Sequence, residues 1–270
     1  MRFHSMTRGD LNSVAEIKKL SETLENSGYY SVLLTYHSKC PDMLLKAFGA
    51  SSNDQKLKYM LAIRTYAISP EYMAMVCRSY NEEFPNKLIL NVVSGDINKI
   101  ETSVEDIVKF SSELDNPEKR LEYTYEWLNK FKNLALKYYY PELIMGGHSD
   151  KTKNMANEFD ATHLSQLDMY RDYINKPSRI INNKQMVVVT AIIRNNKKDA
   201  LEFIDKSHKS GIISGDPNKW VFGGTKEEIK QSIKDLKKIG VTDILIHKTI
   251  GDDNSEAIHD MIKELVAEEK

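Results

Sequence analysis

Cysteine is scarce: only Cys40 and Cys77 occur in 270 residues, and no CxxC is present. That argues against a disulfide framework or a cysteine-based zinc site and fits a reducing compartment. No apolar run approaches the ~20 residues of a membrane span. The opening residues, MRFHSMTRGD, lack the apolar stretch of a secretory signal. A cytoplasmic protein with no membrane partner is the expectation. Charge of one sign is not in excess, with 38 Lys and Arg against 39 Asp and Glu. Nothing therefore favours nucleic acid or an anionic surface as a partner. HExxH and GxSxG are missing, and no histidine spacing demands a metal. The first strand-to-helix turn, Thr7-Arg8-Gly9-Asp10, carries no GxGxxG, which speaks against a dinucleotide fold. Linkers and low-complexity segments are missing too, so one domain over residues 1–270 is expected.

What is present is an alternation of strands and helices. Residues 29–96 hold three short apolar runs, 31–34, 57–63 and 87–93, separated by two segments of helical length. This is the repeating unit of a parallel α/β sheet. Ser13-Val-Ala-Glu16 and Thr225-Lys-Glu-Glu228 have capping-box spacing, Ser69-Pro70-Glu71 is a strong helix start, and Gly28 and Gly240 suit helix ends. Met73, Val76, Cys77, Tyr80 and Phe84 fall on one helical face, which makes Cys77 a core residue. The pattern predicts eight strands, each followed by a helix: an α/β protein, a single (β/α)8 TIM barrel, for which ~250 residues is typical. Strand seven is the β-rich run 186–193, strand eight is 243–246, and 211–222 between them reads as a short irregular insertion.

A barrel of this kind places its chemistry at the C-terminal strand ends. The candidates there are His4, Tyr36, His37, Cys40, Arg64, Asn91, Ser94, His148, Ser149, His163, Thr190 and His247. Each has a plainer reading: a strand-end histidine satisfied by its neighbours, an arginine in an ion pair, a tyrosine packed on the rim. Cys40 precedes a helix, where a thiol pKa can fall. Gly146-Gly147-His148-Ser149 is the best local signal, because glycines permit close approach and a helix N-terminus attracts an anion. Gly223-Gly224 before Thr225 has the same form, and an ordinary loop explains it as well.

VLLTYHSKCPD, LKYMLAIRTYAISPEYMA, LILNVVSGD, ELIMGGHSD and VFGGTKEEIKQSIKDLKKIGVTDILI, in that order, resemble the bacterial luciferase-like flavin monooxygenases, nearest the alkanesulfonate monooxygenase branch. The resemblance implies a (β/α)8 barrel, with a shortened insertion after strand seven. It implies reduced FMN, supplied by a separate flavin reductase, and a peroxyflavin that oxidises a small-molecule substrate. Some relatives use a deazaflavin, and relatives are often homo-oligomers, dimers or larger. By motif, Ala62, Ile63 and Asn91 would lie beside the flavin ring, and Gly147, His148 and Ser149 at its phosphate. Cys40, His37 and Arg64 would line the reacting face as catalytic residues; no metal is implied. Val188 and Thr190 stand where that branch carries arginine and histidine, so a deazaflavin-dependent oxidoreductase or a non-enzymatic flavin-binding barrel is the alternative.

Overall fold

Three helices begin where caps were expected, at Ser13, Ser69 and Thr225. In the computed structural model Ser13 and Glu16 cap each other, the Glu16 amide donating to Ser13 Oγ at 3.2 Å and the Ser13 amide to Glu16 Oε2 at 2.8 Å. Thr225 and Glu228 repeat this reciprocal pair. Ser69 accepts from the Tyr72 amide, and Asp42 from the amides of Leu44 and Leu45. Each such cap is worth about 1 kcal/mol. Gly28 and Gly240 end helices with φ of 83° and 95°, in the left-handed region that glycine alone enters cheaply.

The structure describes residues 1–7, 13–35, 42–94, 116–147, 149–166, 184–213, 215–219, 221–247 and 255–269. The strands are β1 (Arg2–Met6), β2 (Ser31–Leu34), β3 (Lys58–Arg64), β4 (Leu88–Val93), β5 (Glu142–Gly146), β6 (Thr162–Gln166), β7 (Gln185–Ile193), β8 (Val221–Gly224) and β9 (Asp243–His247). The helices are α1 (Val14–Asn26), α2 (Met43–Ala50), α3 (Pro70–Glu83), α4 (Pro117–Ala135), α5 (Asp150–Glu158), α6 (Lys197–Lys209), α7 (Lys226–Lys238) and α8 (Ser255–Ala267). Strand order is β6-β5-β4-β3-β2-β1-β9-β7-β8, and β6 also pairs with β7, which closes eight strands into a parallel (β/α)8 barrel. Among the described residues no helix is long and apolar enough to cross a membrane.

One difference from the sequence expectation lies after β7. Val221 and Phe222 are not irregular: they open β8, which pairs in parallel with the C-terminal half of β7, Thr190 opposite Val221 through Ile193 opposite Gly224. Four residues with two glycines give almost no β signal on their own. The strand exists because β7 extends past its pairing with β9, which ends at Val189 opposite Ile246, and offers free backbone groups there.

Backbone contacts group the chain into two compact units. The unit formed by Arg8–Lys19 and Leu33–His163 carries β3, β4 and β5. Tyr59, Leu61, Leu88, Leu90, Leu143 and Met145, all buried, alternate onto one side of these strands. That side meets helices, since the Tyr59 hydroxyl donates to the Ala50 carbonyl of α2 at 3.2 Å. Trp127 stacks on Phe131 at 5.1 Å and donates its indole N–H to the Ile68 carbonyl at 2.7 Å. Cys77 is fully buried in α3 among Met73 and Tyr80, and burial pushes its thiol pKa up, so it is an inert core residue.

The unit formed by Met1–Thr7, Leu20–Val32 and Leu164–Lys270 carries β1, β7, β8 and β9. At the start of β9, Asp243 is fully buried and accepts from Arg2 Nε at 2.6 Å, His4 Nε2 at 2.8 Å and Thr242 Oγ1 at 2.6 Å. Burial alone would raise the Asp243 pKa; the hydrogen bonds and charge of His4 and Arg2 outweigh it and hold it at about 2. On the outside, Lys230 is nearly buried and reaches Glu264, Glu268 and Glu227, flanked by the pairs Lys226–Glu264 and Lys234–Glu268. This ladder ties α7 to α8.

Candidate functional site

Alternation along β3, β4 and β5 leaves a second face, away from the helices. It carries Lys58, Met60, Ala62 and Arg64 on β3, Ile89, Asn91 and Val93 on β4, and Glu142, Ile144 and Gly146 on β5. The register sets Ala62 opposite Asn91 and Asn91 opposite Ile144, at one level. Lys58 and Glu142 pair at 3.5 Å at the N-terminal end of this face. Toward the C-terminal end Ala62, Arg64, Val93 and Gly146 are partly exposed. Ile63 points to the opposite side and is 8% exposed, so only its backbone can serve a ligand here.

Asn91 is the anomaly on this face. It is 4% exposed, and its Oδ1 is buried with no hydrogen-bond partner among the described residues. A buried acceptor left unpaired costs about 1–3 kcal/mol, and such groups are few in native proteins. Leucine or valine, as elsewhere on β4, would avoid the cost. The side chain therefore asks for a donor that the described residues do not supply. One step further along β3, Arg64 Nη1 donates to the Tyr66 hydroxyl at 3.0 Å.

The neighbouring strand β5 runs into the glycine turn. A Cβ on Gly147 would lie 2.8 Å from both Cγ2 and Oγ1 of Thr152, closer than such atoms approach, so this position requires glycine. Ser149 caps α5: its Oγ accepts from the Thr152 amide at 3.2 Å and meets Thr152 Oγ1 at 2.9 Å. The Gly147 carbonyl accepts from His163 Nε2 at 2.9 Å. A carbonyl only accepts, so this ring nitrogen carries the hydrogen. The sequence placed His163 among the strand-end candidates; one of its partners is a backbone oxygen sixteen residues away, which no side-chain pattern announces.

The other glycine pair is different in kind. At Gly224 the space a Cβ would take lies 2.7 Å from Glu228 Oε2, and the Thr225 amide already donates to that carboxylate at 2.9 Å. The helix start is filled by its own anion. Gly223 lies against Ile204 and Ala200 of α6, a close-packing role. His4, in the Asp243 cluster with its Nδ1 2.7 Å from the Ser31 hydroxyl, is a fully buried structural residue. Thr190 Oγ1, buried within β7, meets Nδ1 of the partly exposed His247 at the end of β9 at 3.3 Å. Ser94 is partly exposed at the end of β4. Tyr36, His37, Cys40 and His148 lie outside the described residues. The structure thus brings Ala62, Arg64 and Asn91 onto one face, and Gly147 and Ser149 into one turn beside it. Among the described residues no group of three or more His, Cys, Asp or Glu could hold a metal ion.

No family model matches the chain. Solved structures do match along its whole length. The EDTA monooxygenase EmoA from Chelativorans sp. BNC1 aligns with 100% of this chain and 94% of its own, at 10% identity and a TM-score of 0.75. Riboflavin lyase RcaE, solved with modified FMN and riboflavin, aligns with 100% of this chain and 92% of its own, at 12% identity and a TM-score of 0.69. The coenzyme F420-dependent tetrahydromethanopterin reductase from Methanopyrus kandleri aligns with 100% of this chain and 99% of its own, at 15% identity and a TM-score of 0.68. At these identities the likeness is one of fold.

Proposed function

We propose that the chain is a flavin-dependent oxidoreductase of the luciferase-like class. Within that class we read it as a monooxygenase that takes reduced FMN from a separate reductase and uses O2 to oxidise a small organic substrate. The observation that carries the reading is the orphaned, buried Oδ1 of Asn91, one strand away from a glycine turn that opens a helix. A flavin presents ring N–H groups at one end and a phosphate at the other, and it needs partners for both. The similar folds include a riboflavin lyase solved with modified FMN, which supports a flavin.

The residues fit the group in a definite way. Asn91 Oδ1 would accept from a ring-edge N–H and so orient the ring. Ala62 and the Ile63 backbone would form the floor beside it. Gly147 gives the phosphate a close approach, and the Ser149 hydroxyl and the free amides at the start of α5 would hold its charge. His148 lies between them in sequence. Arg64, with Cys40 and His37, would line the reacting face and hold the substrate there; the guanidinium favours an anionic or carbonyl-bearing substrate. Reduced flavin, when bound, supplies the electrons for oxygen activation; the protein's part is binding, orientation and exclusion of water.

A second reading is a deazaflavin-dependent oxidoreductase. The tetrahydromethanopterin reductase favours it, being matched over 99% of its length at 15% identity. Absorbance titrations with FMN and with F420, oxidised and reduced, separate the two. Saturable binding of FMN together with substrate-dependent O2 uptake in the presence of a flavin reductase is the expected result. Tight F420 binding without FMN binding supports the second reading. No spectral change with either sinks both, and FMN binding without turnover leaves a flavin-binding barrel that is not an enzyme.

A further inference from the structure

We propose that the outer face of α2 and α3 is the contact by which two copies of this chain pair. The eight residues of α2, MLLKAFGA, include one charge, Lys46. That lysine is buried, while Leu45 and Phe48 face outward at 71% and 46% exposure. A surface helix ordinarily has the reverse arrangement, apolar residues inward and charge in water. On α3, Tyr72 and Met75 are 52% and 55% exposed. The two helices share one surface. The Phe48 ring packs edge-on against Tyr80 at 6.0 Å and Phe84 at 5.2 Å, which holds it as a rigid anchor. Tyr72 and the partly exposed Val76 precede Tyr80 by eight and four residues, so they continue that line along α3, with Met75 at its edge.

The area fits a dimer. A large side chain carries roughly 150–250 Å², and half of that from each of the four exposed ones is on the order of 400 Å². A standard interface takes about 800 Å² from each partner, somewhat over half of it apolar. This patch therefore supplies nearly all the apolar core that one side of such an interface needs. The charges at its margin point to a second copy as the occupant. Exposed Glu71 pairs with Lys130, and exposed Arg78 with Glu82 at 2.8 Å, so both signs border the patch. A strongly acidic or basic partner meets no field of one sign here. A two-fold axis instead sets the mixed margin against itself, plus to minus, and apolar residues against their own copies. With a net charge of −1, two copies do not repel each other. None of these residues is assigned to the cofactor, so the pairing stands or falls independently of the flavin reading.

Sedimentation velocity over a dilution series from roughly 100 to 0.1 μM reads the mass. Expected is a wild type at twice the 31.0 kDa chain mass, dissociating only at the dilute end. Leu45→Glu combined with Met75→Glu places unpaired carboxylates in the contact and should weaken pairing by about a hundredfold or more. Both side chains are exposed in the single chain, so the variant should remain a folded monomer. Leu201→Glu, at an exposed leucine on α6, is the control and should stay dimeric. The melting temperature should rise with concentration in wild type and not in the double variant. Should the double variant not fold, Met75→Lys takes its place. The proposal is overturned if the wild type is monomeric throughout, if the double variant keeps the wild-type mass, or if Leu201→Glu dissociates as readily.

Discussion

Replacing Asn91 with leucine should make the unliganded protein more stable and the flavin complex weaker. Leucine shares the branched four-atom side-chain skeleton of asparagine and matches Leu88 and Leu90 on the same strand. In the unliganded protein the Oδ1 is buried without a partner among the described residues, at about 1–3 kcal/mol. Removing it recovers that amount and adds apolar burial. For a chain of this size a kilocalorie moves the melting temperature by about 2 °C, so a rise of roughly 2–6 °C is expected. In the complex the balance reverses. The ring N–H that Asn91 served is left facing a methyl group, and FMN affinity should fall by about fivefold to a hundredfold. Thermal melts with and without FMN read both effects: the variant melts higher alone and gains less from ligand. A variant that melts lower than wild type alone, with its FMN affinity intact, would show that the Asn91 amide is already satisfied within the protein. The proposed ring contact would then be wrong.

The strand and helix plan was legible because β3, β4 and β5 bury their helix-facing side and α1 to α7 each open on a side-chain cap, a local event. Ser13 with Glu16 and Thr225 with Glu228 are visible three residues apart. The second of these caps also separates the two glycine pairs: Glu228 of α7 accepts from the Thr225 amide, whereas α5 is capped by the Ser149 hydroxyl, with Asp150 as the acid of its first turn. That distinction was in the sequence. Strand β8 was not, because its cause is the length of its neighbour β7 rather than its own residues. The tie between His163 and Gly147 was not legible either, since a backbone carbonyl leaves no trace in the residue pattern. His4 looked like a strand-end candidate; only its burial beside Asp243 shows that it serves the barrel wall. The face on which Ala62, Arg64 and Asn91 meet follows from alternation once Asn91 is taken as the inward marker, but the register that levels them comes from pairing.

The remaining predictions test separate parts of this picture. Asp243 has a folded pKa of about 2 against an ordinary 3.8, so its contribution to stability is present above pH ~4 and lost as pH falls toward 2. The shift corresponds to about 2 kcal/mol, and Asp243→Asn should remove acid sensitivity in that window while lowering stability at neutral pH; an unchanged acid-unfolding curve refutes it. Lys230→Ala should lower the melting temperature more than Lys238→Ala, because Lys230 bridges α7 to α8 whereas Lys238 pairs within α7 to Asp235, and added salt should shrink the difference; equal melts would remove the ladder's role. The last comparison sets Gly147→Ala against Gly224→Ala. Both introduce a Cβ at under 3 Å from a neighbour. At Gly224 that neighbour is the tip of Glu228, which can swing away at the expense of one capping bond, so a cost of about 1 kcal/mol and no change in FMN binding is expected. At Gly147 it is Thr152, a short branched side chain held by Ser149 and by the helix, with nowhere to turn. The backbone of the turn must move instead, carrying the Gly147 carbonyl off His163. FMN affinity should then fall at least tenfold, with riboflavin much less affected, as measured by fluorescence titration. If Gly147→Ala binds FMN as wild type does, the turn is not where the phosphate sits, however well the rest of the rim suits a flavin.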